Sequence, residues 1–175
     1  MFTDHGFENT TVAQIAREAG ITERTYFRYY NSKAALLGSL FESQKRSLQA
    51  ELDTAPSGLP MMDALRHAVI AGIQYPELDN PEQRMLVNLL ASEPALNAVA
   101  TDYLAAWEHI ISEFAGKRLG QPATSLYCVV VGRTTLAACR AAFEEWAAHP
   151  DDTLASYLDS ALIALARGFG SSSTT

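Results

Sequence analysis

Cysteine is nearly absent from this 175-residue chain, where Cys128 and Cys139 are the only two. They lie eleven positions apart in one apolar helical stretch. At about 1.5 Å of rise per residue that is roughly 16 Å, beyond the reach of an intrahelical disulfide. There is no CxxC pair and no Cys/His cluster, which argues against a zinc site and suits a reducing, cytoplasmic compartment. The four histidines, His5, His67, His109 and His149, are dispersed. No Ser-His-Asp set or glycine-rich phosphate loop accompanies them, so an enzyme is disfavoured and no cofactor is implied. Glu108 and His109 are adjacent, so on a helix they point about 100° apart and form no relay. His67 sits in an apolar helix and reads as a core or boundary residue. No window approaches the ~18 consecutive apolar residues of a membrane span. The opening MFTDHGFENT lacks the basic start and apolar stretch of a signal peptide. Positive charge is also scarce, with 13 Lys and Arg against 20 Asp and Glu.

The apolar content is ample. At 48% hydrophobic residues the chain is globular rather than disordered and long enough to bury a sizeable core. The charge is unevenly spread. Residues 1–46 hold Arg17, Arg24, Arg28, Lys33, Lys45 and Arg46 against Asp4, Glu8, Glu18, Glu23 and Glu42, a net of +1. The remainder has seven cations against fifteen acids, a net of −8. A locally basic end on an acidic body implies an anionic partner confined to that end. Within it, GITERTYFRYYNSK gathers Arg24, Arg28 and Lys33 with Tyr26, Phe27, Tyr29 and Tyr30 against the single acid Glu23.

Periodicity is helical throughout, with no strand alternation and no internal repeat. In TTVAQIAREAG, Val12, Ile15, Ala16 and Ala19 recur at helical spacing, Thr11 and Gln14 fit a capping box, and Gly20 is a stop. Thr22 caps a second short helix, and a third runs from near Ser32 to about Leu52. DTAPSGLP is a linker. Beyond it, helices are expected over 61–74, over 79–92 with Asn80 as cap, from about Ala95 to Lys117, over 124–148 and over 153–169. This predicts an all-α chain with an N-terminal domain over 1–48, a helical body over 49–170 and a disordered tail over 171–175.

Two short helices joined by Gly20-Ile21-Thr22 form a helix-turn-helix, in which the second helix enters the major groove of DNA. Tyr26 and Tyr30, four apart, continue the apolar face of Ile15, Ala19 and Ile21. Thr22, Thr25 and Tyr29 face the other way, flanked by Arg24 and Arg28. Threonine reads a base edge or a thymine methyl, and arginine forks onto guanine or phosphate. Lys33 opens a helix where backbone N–H groups already favour phosphate. The anion with a readable edge is duplex DNA.

The run GFENTTVAQIAREAGITERTYFRYYNSKAALL resembles the DNA-binding domain of TetR-family transcriptional regulators over roughly residues 2–48. The resemblance implies that Thr11 touches phosphate and that Thr22, Glu23, Arg24 and Thr25 sit at the groove end of the recognition helix. It places Phe27 against bases or sugars, and Arg28, Tyr29 and Lys33 on the backbone. Glu23 reads more simply as a solvated acid in the first helical turn. Domains of this family have a further helix before the Gly-Phe pair, and only MFTDH precedes Gly6 here. From this we expect a start about 10–20 residues upstream, with Ile15, Tyr26 and Tyr30 facing water in its absence and DNA binding weak without it.

The resemblance further implies a one-component regulator, most simply a repressor, whose C-terminal domain dimerises and binds a small molecule. Helix 124–148 carries one apolar stripe through Leu126, Val129, Val130, Leu136 and Phe143 and a second of small residues. The last helix offers Leu154, Leu158, Ala161, Leu162, Leu165 and Phe169. A twofold interface through Leu136, Phe143, Leu158, Leu162 and Leu165 follows, on palindromic operator DNA. Val69, Met85, Leu89, Tyr103, Trp107, Ile111 and Phe114 are the expected lining of an effector pocket. The region from Ala91 to Phe169 is similar to a domain class associated with acyl-CoA-like or other lipophilic effectors. The alternatives are a helical small-molecule-binding dimer that does not bind DNA and an enzyme without a familiar motif.

Overall fold

A computed structural model of the chain describes residues 10–73, 94–149 and 151–168. Among the described residues there are seven α-helices and no strand: α1 (Val12–Glu18), α2 (Glu23–Tyr29), α3 (Lys33–Thr54), α4 (Met61–Ile73), α5 (Pro94–Leu119), α6 (Leu126–Ala148) and α7 (Leu154–Ala166). The helix expected over 79–92 and the tail over 171–175 lie outside them.

Local chemistry sets the helix ends. Thr11 Oγ1 accepts from the Gln14 amide at 3.2 Å, while Gln14 Oε1 accepts from the Thr11 amide at 2.7 Å, which closes the capping box. At the other end of α1, Gly20 takes φ +67°, a conformation that costs a side-chain-bearing residue energy. The Gly20 and Ile21 amides then donate to the Arg17 and Ala16 carbonyls at 3.1 and 2.9 Å, completing a Schellman stop. Thr22 caps α2 through the Thr25 amide, and Ser32 caps α3 through the Ala35 amide, both at 3.1 Å. The helix expected from about Ala95 to Lys117 is α5, and it opens on Pro94, whose missing N–H would have had no helical partner at that position anyway.

Five helices close into a ring. α3 packs on α4, α4 on α7, α7 on α6, α6 on α5, and α5 back on α3. Leu48 and Leu52 of α3, Leu65 and Val69 of α4, Ile111 and Phe114 of α5, Cys128, Cys139 and Trp146 of α6, and Leu154, Leu158 and Leu162 of α7 fill its centre. Residue 48, the expected domain limit, falls inside the continuous α3, and its side chain belongs to the core of the body. Both cysteines are free and buried, and burial pushes the Cys139 thiol up to about 12.

The linker after α3 is tied down by one side chain from the far end of α5. Arg118 donates to the carbonyls of Leu59 and Pro56 at 2.7 Å, of Ser57 at 2.8 Å and of Ala55 at 3.4 Å. Its guanidinium lies 5.0 Å from the centroid of the Phe114 ring. A planar fork of five donors suits this task in a way a lysine ammonium does not.

By length and composition α6 is apolar enough to cross a membrane. Its apolarity is used within the chain, where Cys128, Val131, Gly132, Thr135, Cys139, Ala142 and Trp146 are buried between α5 and α7. The expected division into an interface stripe and a small-residue stripe is resolved here. The small residues face inward, while Leu126, Tyr127 and Val130 stand out into solvent. Leu158 and Leu162 correct the expected interface. Each is 1% exposed, buried by the chain's own helices, so neither is available to a second copy. Leu136, Phe143 and Leu165 are half-buried at the margin of the core.

The α5–α6 crossing is close because Gly132 has no side chain. A Cβ there would stand 2.8 Å from the Glu108 carbonyl oxygen, which is backbone and cannot swing away. Gly132→Ala is therefore expected to destabilise the fold by about 1–3 kcal/mol, read as a lowered midpoint in thermal or urea unfolding.

Candidate nucleic-acid interface

The recognition element is built around one inward aromatic. Tyr26 is 2% exposed, with the Phe27 ring edge-on at 5.7 Å and Tyr30 tilted at 5.4 Å. Its hydroxyl donates to the Ser32 carbonyl at 3.1 Å, binding α2 to the start of α3. Burial, and secondarily Tyr30, raise the Tyr26 phenol above its usual value, so the donor stays protonated well past neutrality. The expectation that Tyr26 faces water is thus overturned, while Ile15 and Tyr30 are half-buried. Ala19 and Ile21, expected on the same apolar face, are exposed instead, because the Schellman turn carries the chain outward there.

Fixing Tyr26 inward determines what faces out. Arg24 and Arg28 are each two positions from Tyr26, about 200° around the helix, and both are exposed. They form the centre of the outer face, not its flanks. Phe27 is 52% and Tyr29 67% exposed, large apolar rings that the chain's own core does not use. Thr25 is half-buried, and its Oγ1 lies 3.0 Å from Thr22 Oγ1. Arg28 lies over the Tyr29 ring at 4.9 Å and donates to its hydroxyl at 3.2 Å, so the two form one cationic, hydrogen-bonding unit. Thr11 is exposed as the α1 cap, and Lys33 is half-buried as the first residue of α3. The eight residues expected to face DNA therefore fall on α1, α2 and the first turn of α3. The face offers two guanidiniums, two wet rings and capped hydroxyls, with Glu23 as its exposed acid.

The expected pocket residues are placed differently. Val69 and Ile111 are fully buried, and Trp107 and Phe114 nearly so, as members of the packed core. Tyr103 is half-buried, with its ring 5.3 Å from that of Trp107. Met85 and Leu89 lie outside the described residues. A groove of about 230 Å³ lies elsewhere, between α4 and α7, lined by Met62, Asp63, Arg66, Leu162, Ile163, Ala166 and Arg167. An ion pair between Arg66 and Asp159 bridges the same two helices. Sequence reasoning missed Gln44. Its Oε1 accepts from the Tyr103 hydroxyl at 3.0 Å, joining α3 to α5 beside Trp107. A polar residue between Ser43 and Lys45 carries no local sign of a partner 59 positions away.

Comparison with known proteins matches this architecture in both halves. Residues 1–40 match the model for bacterial regulatory proteins of the tetR family, and residues 59–170 match that of the MftR C-terminal domain. The mycofactocin biosynthesis transcriptional regulator MftR of Mycobacterium tuberculosis is 34% identical over 146 residues, covering 83% of this chain and 74% of the relative. The HTH-type transcriptional regulator TcmR of Streptomyces glaucescens is 25% identical over 118 residues, covering 66% of this chain and 52% of TcmR. Among solved structures, a TetR-family regulator from Rhodococcus sp. superposes with a TM-score of 0.66 at 18% identity, covering 95% of this chain and 90% of that one. Thermus thermophilus FadR, a TetR-family repressor solved with lauroyl-CoA, gives a TM-score of 0.57 at 23% identity, covering 97% and 90%.

The Tyr26 hydroxyl tests the local architecture. Tyr26→Phe leaves the ring packing intact but strips the Ser32 carbonyl of its donor. We expect a loss of about 0.5–1.5 kcal/mol, confined to this element. Amide exchange across 23–29 should quicken while that across 126–148 is unchanged. Uniform quickening of both regions would contradict the confinement.

Proposed function

The chain belongs to the TetR family of bacterial regulatory proteins, and from that premise we propose that it is a cytoplasmic, ligand-responsive repressor. It binds palindromic duplex DNA as a homodimer and lets go when a small apolar or acyl-bearing effector binds its helical body. The observation that carries this reading is the division of the α2 aromatics, with Tyr26 buried and Phe27 and Tyr29 left in water beside Arg24 and Arg28. A helix that leaves large rings and guanidiniums exposed on its outer face among the described residues has a use for them outside the chain.

In this reading Arg24 and Thr25 face bases, and Thr22 supports Thr25 through the hydroxyl pair. Phe27 packs on bases or sugars. Thr11, Arg28, Tyr29 and Lys33 take phosphates. The DNA-binding part covers residues 1–48 and the effector and dimerisation part 49–170, with α3 running through the division. The second copy meets the exposed side of α6, where Leu126, Tyr127 and Val130 are solvated in the single chain. The half-buried Leu136, Phe143 and Leu165 lie at its border. The effector class rests on the FadR relative, which was solved with lauroyl-CoA. The effector site is read as the part of the body around Tyr103 and Trp107. Release follows if the effector prefers the arrangement of the body that binds DNA less well, by the ratio of its two affinities.

Two measurements test the reading. With a duplex obtained by selection on the purified chain, Thr25→Ala is expected to change base preference at a cost of about 1–3 kcal/mol at the affected position. Lys33→Ala is expected to weaken all sequences alike and to lower the salt slope by about one. Equal losses on every sequence for both variants would contradict the division into base and phosphate contacts.

Val130→Glu places a carboxylate on the proposed interface without entering the chain's own core. Sizing in dilute solution is expected to show wild-type dimer and variant monomer. A variant that remains a dimer would move the interface elsewhere.

A further inference from the structure

The interior of the body is apolar, with an exception that packing does not explain. Trp107 is 3% and Thr135 0% exposed, and neither the Trp107 indole N–H nor the Thr135 hydroxyl has a hydrogen-bond partner among the described residues. Buried polar atoms are paired in the great majority of cases, because one left without a partner forfeits its hydration for nothing. Two such atoms in one core ask for a common cause.

The register of α5 against α6 also brings the two residues to one level of the body. α5 and α6 run antiparallel through the short turn at 120–125. Gly132 lies against Glu108 and Ser112, and Arg133 Nε meets Glu108 Oε1 at 2.9 Å. Thr135 is about one turn further along α6, which brings it to the level of the α5 turn that holds Trp107. The described neighbours in the core, including Val69, Ile111, Phe114 and Cys139, carry no charge.

We propose that the Trp107 indole N–H and the Thr135 hydroxyl are the polar anchor of the effector site, built for an apolar ligand that carries an uncharged hydrogen-bond-accepting oxygen, such as an ester or thioester carbonyl. This rests on the lipophilic-effector reading and adds its chemistry. An indole N–H only donates, so the ligand must accept. Thr135 accepts or donates and can complete the second lone pair of a carbonyl. A free carboxylate does not fit, because it would be desolvated with no counter-charge. The described charged pair nearby, Arg133 with Glu108, is satisfied within itself. The anchor also has a route outward. The Trp107 ring lies tilted against that of Tyr103, whose hydroxyl is held by Gln44 on α3, the helix that begins beside the recognition element.

The test uses the full chain with Trp107→Phe and Thr135→Val, which remove a donor while keeping most of the shape. Binding of lauroyl-CoA, methyl laurate and laurate is followed by calorimetry, and unfolding is measured without ligand. Each variant is expected to bind lauroyl-CoA and methyl laurate about tenfold more weakly than wild type, the effect of one lost hydrogen bond to an otherwise buried group. The unliganded stability of Thr135→Val is expected to be unchanged or higher, since an unpaired polar atom has been removed, whereas Trp107→Phe is expected to lose some core packing. Laurate is expected to bind wild type at least tenfold more weakly than its methyl ester. Unchanged lauroyl-CoA affinity in both folded variants would leave the lipophilic effector standing and overturn the anchor alone. No binding of any of the three to wild type would overturn both. A variant that fails to fold is replaced by Thr135→Ser, which retains the hydroxyl and must retain wild-type affinity if the anchor is correct.

Discussion

The architecture depends on the carbonyl of Ser32. Ser32 caps α3 with its side chain, and its backbone oxygen takes the hydroxyl of buried Tyr26. Between them these two bonds fix the angle at which the recognition helix leaves the long helix. From that corner α3 runs for 22 residues, about 33 Å, into the body. There Leu48 and Leu52 are buried in the common core, Gln44 is bonded to Tyr103, and Arg118 clamps the chain as it leaves. A helix held at both ends moves as a lever, because helices bend gently and kink only at defined defects.

The same corner resolves the oddity of an acidic chain with a basic, aromatic-rich segment. Four aromatics in five positions look excessive for one short helix, and they do not act alike. Tyr26 anchors, Tyr30 half-supports it, and Phe27 and Tyr29 stand exposed. The cations follow by register, since Arg24 and Arg28 stand opposite Tyr26. Acidity of the remaining chain confines attraction for a polyanion to this end.

Much of this was legible in the residues. Caps and stops are local, so Thr11, Gly20, Thr22 and Ser32 announced the helix-turn-helix, and the TetR-like run named its class. What was not legible depends on who covers whom. An amphipathic seam in α7 has the same periodicity whether it meets its own core or a second copy, so Leu158 and Leu162 were assigned outward and are buried. Tyr26 was placed on the apolar face by its spacing and is buried as that face implies, against the expectation that it lies bare without an upstream helix. Arg118 and Gln44 were invisible, as their partners lie some sixty positions away. Trp107 was seen as apolar lining, while it takes three dimensions to show that its N–H, like the Thr135 hydroxyl, lacks a partner among the described residues.

The central claim is that occupancy of the body alters the grip of the recognition helix through α3. The most direct measurement is the ratio of operator affinities with and without saturating lauroyl-CoA, on one selected duplex at one salt concentration. The account predicts that DNA affinity falls by about five- to 150-fold when the ligand is bound. Equal affinities with the ligand demonstrably bound would contradict it.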